Sequence, residues 1–227
     1  MSQYAAFYNW QQNRIHFSKH RTRSPHHLPQ YLLRRGAEGI RSCAAAGCPP
    51  FTLVAVSDLD WNHDMVPWDS SPAFKSAAPF TGGADDYLRL LTEEIIPTAE
   101  GKLPGKPQWR GIVGYSLAGL FALYTVYRTD LFSRVGSMSG SLWFPGMKEY
   151  ILSHEPKCRP DCMYFSLGDM ESKTRNPILR SVRQNTEEIR AFYQAKGIDT
   201  AFQLNPGNHY EHAAERTAAG IAWLLSR

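Results

Sequence analysis

The stretch QWRGIVGYSLAGLF, residues 108–121, is the strongest indication of fold in this chain. Gln108–Gly114 has the apolar character of a buried β-strand, and Leu117–Tyr127 continues as an apolar helix. Ser116 lies between them in the pattern Gly-x-Ser-x-Ala-Gly. A serine on such a turn is typical of a nucleophile, because small neighbours let strand and helix approach closely and leave the hydroxyl exposed. We therefore predict that Ser116 is a nucleophile; a chance serine or a phosphate-binding turn would give the same pattern.

Short apolar runs alternate with longer helical patterns on both sides of this stretch. The alternation predicts an α/β fold, with a mostly parallel sheet covered by helices on both faces. Because 227 residues suffice for one sizeable core, we predict a single domain over residues 1–227. The other predicted strands lie at 31–33, 51–56, 132–138, 163–167 and 200–204, and the other predicted helices at 38–46, 85–98, 177–196 and 211–226. Residues 58–83 are predicted to form a long loop, either a substrate lid or irregular surface.

A nucleophilic serine needs a base, and in hydrolases with a serine on this kind of turn the chain order is serine, acid, histidine. The histidines beyond Ser116 are His154, His209 and His212. His209 follows the last predicted strand in a tight turn with Pro206 and Gly207, at the edge of a parallel sheet where ligands bind. We predict that His209 is the base and that the other two lie at the surface.

Two carboxylates, Asp169 and Glu171, follow the predicted strand 163–167 and are candidates for the acid. Asp169 directly follows Gly168, where a short polar side chain can fix a turn through nearby backbone N–H groups. The longer side chain of Glu171 can cross to a histidine on the neighbouring loop. Position along the chain alone leaves both open.

The net charge of +4 is unevenly distributed. Seven basic residues and one acidic residue precede position 42, so this part carries +6 and the remainder −2. We interpret residues 1–30 as a basic, solvated N-terminal segment and expect no nucleic-acid partner. No run approaches the roughly 20 apolar residues that span a bilayer, and the first residues lack a signal-peptide pattern. We therefore expect a soluble, cytoplasmic protein without a membrane partner.

The four cysteines, Cys43, Cys48, Cys158 and Cys162, lack the C-x₂-C spacing that indicates a zinc site. In a protein without a secretion signal we expect free thiols. We predict neither a metal nor an organic cofactor.

Several further segments share their order and spacing with one known family. They are SDLDWNHD (57–64), PW (67–68), GGAD (82–85), GYSLAGLF (114–121), SLWF (141–144), SLGDME (166–171) and PGNHY (206–210). From about residue 51 onwards the chain resembles the putative-esterase family of α/β-hydrolases, which includes esterase D-like enzymes and ferric-enterobactin esterases. The resemblance implies the α/β-hydrolase fold; the match before about residue 50 is poor.

The resemblance implies Ser116 as nucleophile and His209 as base, and it favours Glu171 as the acid. The resemblance also suggests that Trp61, Trp68 and Trp143 line the acyl or alcohol pocket, although partly buried packing would explain these residues equally well. Tyr115, the residue that precedes Ser116, is a further candidate for substrate binding. One oxyanion N–H should come from Leu117, the residue after the nucleophile. The second is expected from Gly36 or the adjacent Ala37.

Together these residues predict a carboxyl-ester hydrolase with a Ser-His-Glu/Asp triad and an acyl-enzyme intermediate. Small-molecule siderophore, aryl or short-acyl esters are the expected substrates. The alternatives are an acyltransferase with the same triad, or a non-catalytic binding protein of this fold. Neither the natural ester nor the oligomeric state follows from the sequence.

Overall fold

A computed structural model describes residues 5–9, 48–49, 51–56, 59–74, 77–103 and 105–227. Its strands are β1 (Ala5–Asn9), β2 (Thr52–Val56), β3 (Asp69–Ser70), β4 (Phe80–Thr81), β5 (Arg110–Tyr115), β6 (Arg134–Met138), β7 (Cys162–Gly168) and β8 (Asp199–Asn205). Six of them form one sheet in the order β2-β1-β5-β6-β7-β8, with every neighbouring pair parallel. Strands β3 and β4 pair separately and antiparallel.

The helices are α1 (Trp61–Asp64), α2 (Ala84–Leu90), α3 (Ile96–Glu100), α4 (Leu117–Arg128), α5 (Met147–Ser153), α6 (Pro177–Arg180), α7 (Val182–Ala195) and α8 (Ala213–Leu225). They cover both faces of the sheet, and alternate residues of β5 show this directly. Ile112 packs in one hydrophobic cluster with residues of α4 and α7. Val113 packs in a second cluster with residues of α8. The α/β-hydrolase architecture is thus confirmed, with the sheet buried on both sides.

Most predicted elements from residue 51 onwards are present, with small differences at their ends. The predicted loop 58–83 contains α1 and the β3–β4 pair. The helix predicted at 85–98 has a π-helical turn, Leu91–Ile95, just before Pro97, which has no N–H to donate. The helix predicted at 177–196 is divided at Ser181, whose Oγ donates to the carbonyl of Ile178 at 2.7 Å.

The N-terminal predictions have a different outcome. The strand predicted at 31–33, the helix at 38–46 and Cys43 lie outside the described residues. Strand β1, which the sequence did not predict, lies between β2 and β5, so residues 5–9 belong to the sheet and not to the solvated segment expected over residues 1–30. The rest of that segment lies outside the described residues. Cys158 and Cys162 are free thiols, as predicted. No helix among the described residues is long and apolar enough to cross a membrane.

Candidate active site

Ser116 lies on the turn between β5 and α4, where its backbone has a φ of 62° and a ψ of −126°. A positive φ is uncommon for a residue other than glycine and persists only where the surrounding structure enforces it. Here the close approach of strand and helix enforces it. A Cβ on Gly114 would lie 2.2 Å from the Ala118 carbonyl, and one on Gly119 would lie 2.9 Å from the Ser137 Oγ. The glycines of the sequence pattern therefore occupy positions that admit no side chain.

The structure brings Ser116, His209 and Glu171 together at the carboxyl edge of the sheet. Nε2 of His209 lies 3.0 Å from Oγ of Ser116, and Nδ1 lies 2.8 Å from Oε2 of Glu171. Both distances are those of hydrogen bonds. The imidazole of His209 is therefore hydrogen-bonded to the Ser116 hydroxyl on one side and to the Glu171 carboxylate on the other. Its side chain is 28% exposed, whereas that of Glu171 is only 5% exposed.

Glu171 is a buried carboxylate held by several donors. Its Oε1 accepts hydrogen bonds from the backbone N–H of Gly168 at 2.6 Å and from Oγ of Ser139 at 2.8 Å. Burial acts to raise the pKa of Glu171, but the hydrogen bond and charge of His209 and these two donors outweigh it and lower the pKa from its ordinary value of 4.5. Glu171 therefore remains ionised at neutral pH.

Asp169 makes different contacts. Its Oδ1 accepts from the backbone N–H of Gly207 at 2.9 Å, and its own N–H donates to the carbonyl of Asn205 at 2.8 Å. Asp169 thus joins the loop after β7 to the loop that carries His209. Of the two candidate acids, the structure places Glu171, and not Asp169, against the imidazole.

The other two histidines beyond Ser116 make their contacts elsewhere. Nδ1 of His154 is 2.9 Å from the carbonyl of Tyr150 at the end of α5. His212 precedes α8, and its side chain is 67% exposed. Both histidines are exposed, as predicted.

Leu117 is the first residue of α4, so its backbone N–H is one that the helix itself does not use. It follows Ser116 directly, at the helix end that favours negative charge. The second predicted donor, Gly36, and its neighbour Ala37 lie outside the described residues. Only the first donor can therefore be located.

Tyr115 is not placed as we expected for a substrate-binding residue. It is 6% exposed, and its hydroxyl donates to the carbonyl of His209 at 2.7 Å. Burial raises the pKa of Tyr115, so the hydroxyl keeps its proton for this bond. The expectation of a substrate contact is corrected: alternation along β5 turns the ring into the face covered by α8.

The predicted pocket tryptophans are all half-buried. Trp68 donates from Nε1 to the carbonyl of Pro145 at 2.9 Å, and its ring centroid is 5.9 Å from that of Phe144. The Trp143 ring lies 6.1 Å from that of Phe80. Trp61, in α1, packs against the hydrophobic core cluster that contains Phe80 and Phe144. Trp68 and Trp143 thus belong to one aromatic cluster, joined through Phe80 and Phe144.

Sequence reasoning missed three polar residues near the site: Ser139, Ser141 and Arg216. Oγ of Ser141 is 3.3 Å from Oγ of Ser116, and its N–H donates to the Ser116 carbonyl. Ser139 and Arg216 contact Glu171. Arg216 had a signal in the sequence, because it lies four residues before Gly220 on the apolar stripe of α8, where a cation is unexpected.

Within the described part of the chain, no group of three or more His, Cys, Asp or Glu side chains is arranged to hold a metal ion.

Comparisons with known proteins identify relatives of this chain. A family model described as Putative esterase matches residues 34–213. The protein YbbA of Bacillus subtilis (strain 168), which is named as uncharacterized, is 23% identical over 187 residues, or 79% of this chain and 75% of that protein.

Two solved structures share the architecture. The siderophore hydrolase EstA from Aspergillus nidulans superposes with a TM-score of 0.70 at 17% identity, covering 99% of this chain and 83% of that chain. An IroE-like serine hydrolase from Shewanella oneidensis has a TM-score of 0.72 at 16% identity, covering 99% of this chain and 71% of that chain. At these identities the likeness shows the α/β-hydrolase fold.

Proposed function

The chain belongs to the Putative esterase family and is a carboxylic ester hydrolase, and from that premise we propose that Ser116, His209 and Glu171 form its catalytic triad. The observation that carries the proposal is the position of His209. Its two ring nitrogens lie at hydrogen-bond distance from the Ser116 hydroxyl and the Glu171 carboxylate. A weak nucleophile, a base and a group that orients the base are the parts that acyl transfer requires.

The reaction proceeds in two halves. Oγ of Ser116 attacks the ester carbonyl carbon while His209 Nε2 accepts the hydroxyl proton. The resulting oxyanion lies beside the N–H of Leu117, and one such donor contributes about 3 kcal/mol to the transition state. Collapse breaks the bond to the alcohol oxygen, which leaves with the proton from His209.

The acyl group is then released by water. His209 takes a proton from a water molecule, whose oxygen attacks the acyl carbon. The second tetrahedral species collapses, the carboxylic acid departs, and Ser116 recovers its proton. Throughout, Glu171 remains ionised and stabilises the imidazolium. These steps use side chains and backbone alone.

We propose an aryl or siderophore ester as the substrate class. Trp143, which shares an aromatic cluster with Trp68, lies two residues after Ser141, and the Ser141 hydroxyl is 3.3 Å from that of Ser116. Aromatic rings of this kind bind flat aromatic groups through offset or edge contacts. The name of EstA, a siderophore hydrolase, supports this class.

A fluorophosphonate probe tests the nucleophile, because it reacts covalently only with an activated serine. We expect labelling of the wild type at Ser116, located by mass spectrometry, with a burst of p-nitrophenol from p-nitrophenyl acetate. Ser116→Ala should lose both the label and, by several orders of magnitude, ester hydrolysis. Ser141→Ala is the matched control, because it removes the adjacent hydroxyl and should keep the label.

A wild-type protein labelled at Ser141, or a Ser116→Ala variant that hydrolyses the ester at the wild-type rate, would refute the triad. The same assay resolves the substrate. Values of kcat/KM across p-nitrophenyl esters and a catecholate siderophore ester should favour the aromatic substrates, and added alcohols should fail to divert the acyl group from water. Efficient diversion would identify an acyltransferase.

A further inference from the structure

Arg216 is a buried cation in the first turn of α8, and the residue is only 2% exposed. Its Nε has no hydrogen-bond partner among the described residues. Burying a guanidinium costs several kcal/mol unless strong partners compensate it. What its other two nitrogens contact therefore indicates why it is buried.

Those contacts converge on the proposed triad. Nη1 of Arg216 lies 3.2 Å from Oε1 of Glu171, 3.1 Å from Oγ of Ser139 and 3.3 Å from the hydroxyl of Tyr115. Nη2 donates to the carbonyl of Pro206 at 2.9 Å. One guanidinium thus contacts four segments of the site. They are the end of β5 at Tyr115, the residue after β6 at Ser139, the loop of Glu171, and the loop of His209 at Pro206.

The two oxygens of the Glu171 carboxylate have different partners. Oε1 accepts from Ser139, from the Gly168 N–H and from Arg216. Oε2 is hydrogen-bonded to His209. Three donors on one oxygen fix the rotation of the carboxylate, so that the other oxygen points at the imidazole. Charge-assisted donors such as Arg216 are the strongest of the kind.

The geometry of Ser139 supports a role beyond packing. Ser139 has a φ of 45°, in the left-handed region that serine rarely occupies. The residue is fully buried, and its hydroxyl lies against both Glu171 and Arg216. Gly168 leaves room for the cation, since a Cβ there would lie 2.9 Å from Nη2 of Arg216.

We propose that Arg216 and Ser139 are positioning residues that hold the Glu171 carboxylate in the orientation that His209 requires. This inference rests on the proposed triad. It assigns two tasks to Arg216. Its Nη1 donates to Oε1 while its Nη2 donates to the Pro206 carbonyl, which fixes the carboxylate relative to the loop of His209. Its charge offsets part of the negative charge that the imidazolium of His209 faces.

The charge task predicts an effect on pH dependence. The groups around His209 and Glu171 are Arg216 from α8, Tyr115 from β5, and Asp169, Tyr210 and Glu211 from the two loops. Arg216 is the cation in direct contact with the carboxylate. Without Arg216, the negative charge of Glu171 acts on the imidazolium of His209 alone and stabilises its protonated form. The acid limb of the pH profile, the range over which kcat/KM rises with pH, should therefore move to higher pH.

The test compares Arg216→Met and Arg216→Lys with Arg134→Met. Arg134 is a matched control: it is 9% exposed, donates to the carbonyl of Leu224 at the other end of α8, and stacks on Trp109. Arg216→Met should lower kcat about 10- to 100-fold, the range for losing a hydrogen bond to a charged group, with KM little changed. Arg216→Lys should return the acid limb to the wild-type position but restore only part of kcat, because an ammonium lacks the planar fork of the guanidinium.

Arg134→Met should lower the melting temperature and leave both kcat and the acid limb unchanged. An Arg216→Met variant that behaves in the same way would overturn the proposal and make Arg216 an anchor for α8 alone. If Arg216→Met does not fold, Ser139→Ala and Arg216→Lys decide. Both should have a lowered kcat, because each loses a contact that holds Oε1 of Glu171, and a wild-type kcat in both variants would overturn the proposal. Fluorophosphonate labelling of wild-type Ser116 tests the triad separately. If Ser116 is labelled but the Arg216 and Ser139 variants keep the wild-type kcat, only this inference is refuted and the proposed triad stands.

Discussion

The turn that carries Ser116 and the loops that carry Glu171 and His209 are held in place by different forces. The serine turn is fixed by steric exclusion, because Gly114 and Gly119 leave no space for a side chain. The two loops depend in addition on hydrogen bonds and charge, including those of Asp169 and Glu171. Steric constraints do not titrate, whereas carboxylates do, so the two regions should respond differently to mutation and to pH.

The largest effect is expected in the serine turn. Gly114→Ala should destabilise the fold by more than about 4 kcal/mol, because its Cβ would lie 2.2 Å from backbone atoms of Ala118 that cannot move aside. Gly111→Ala, on the same strand, is the control: its Cβ would lie 3.2 Å from the Trp109 ring, a side chain that can shift. Its cost should be about 1 kcal/mol. Urea unfolding measures both, and equal stabilities would refute the steric account.

The next effect separates the two carboxylates of one loop. Glu171→Gln should lower kcat about 10²- to 10⁴-fold, since the base loses its orienting charge. Asp169→Asn should act mainly on stability, by about 1 kcal/mol, because it weakens one bond to the Gly207 N–H. Steady-state kinetics and melting temperatures distinguish these outcomes. Loss of activity in Asp169→Asn with retention in Glu171→Gln would reverse the roles.

The smallest effect concerns pH. Because the folded protein lowers the pKa of Glu171, the charged carboxylate contributes stability above its unfolded pKa, and this contribution is lost as pH falls through the folded pKa, below 4.5. The difference in unfolding free energy between wild type and Glu171→Gln should therefore shrink as the pH is lowered from 7 to about 3. Glu187→Gln, on the surface of α7, controls for the loss of one carboxylate. A pH-independent difference would contradict the lowered pKa.

The sequence was sufficient for the fold from residue 51 onwards and for the placement of Ser116 and His209. Each of these follows from local patterns: an apolar run, a helix start, or a turn marked by proline and glycine. Strand β1 was missed because Ala5–Asn9 carries little of the branched apolar character that marks a buried strand.

The contacts of Glu171 could not be predicted in the same way. The donors to its Oε1 come from residues 139, 168 and 216, which approach one another only when the strands align. Tyr115 was misassigned for a related reason. Its position beside Ser116 suggests a substrate contact, but the alternation of side chains along β5 turns it into the opposite layer.

The parallel sheet has a consequence for the order in which the active site assembles. The site draws on the ends of β5, β6, β7 and β8 and on the first turn of α8, so its contacts are long-range, and such contacts form late in folding. During synthesis, the nucleophile leaves the ribosome about a hundred residues before Arg216 does. A nascent chain that already displays Ser116 therefore lacks the proposed base, His209, and we expect ester hydrolysis only when β8 and α8 have docked.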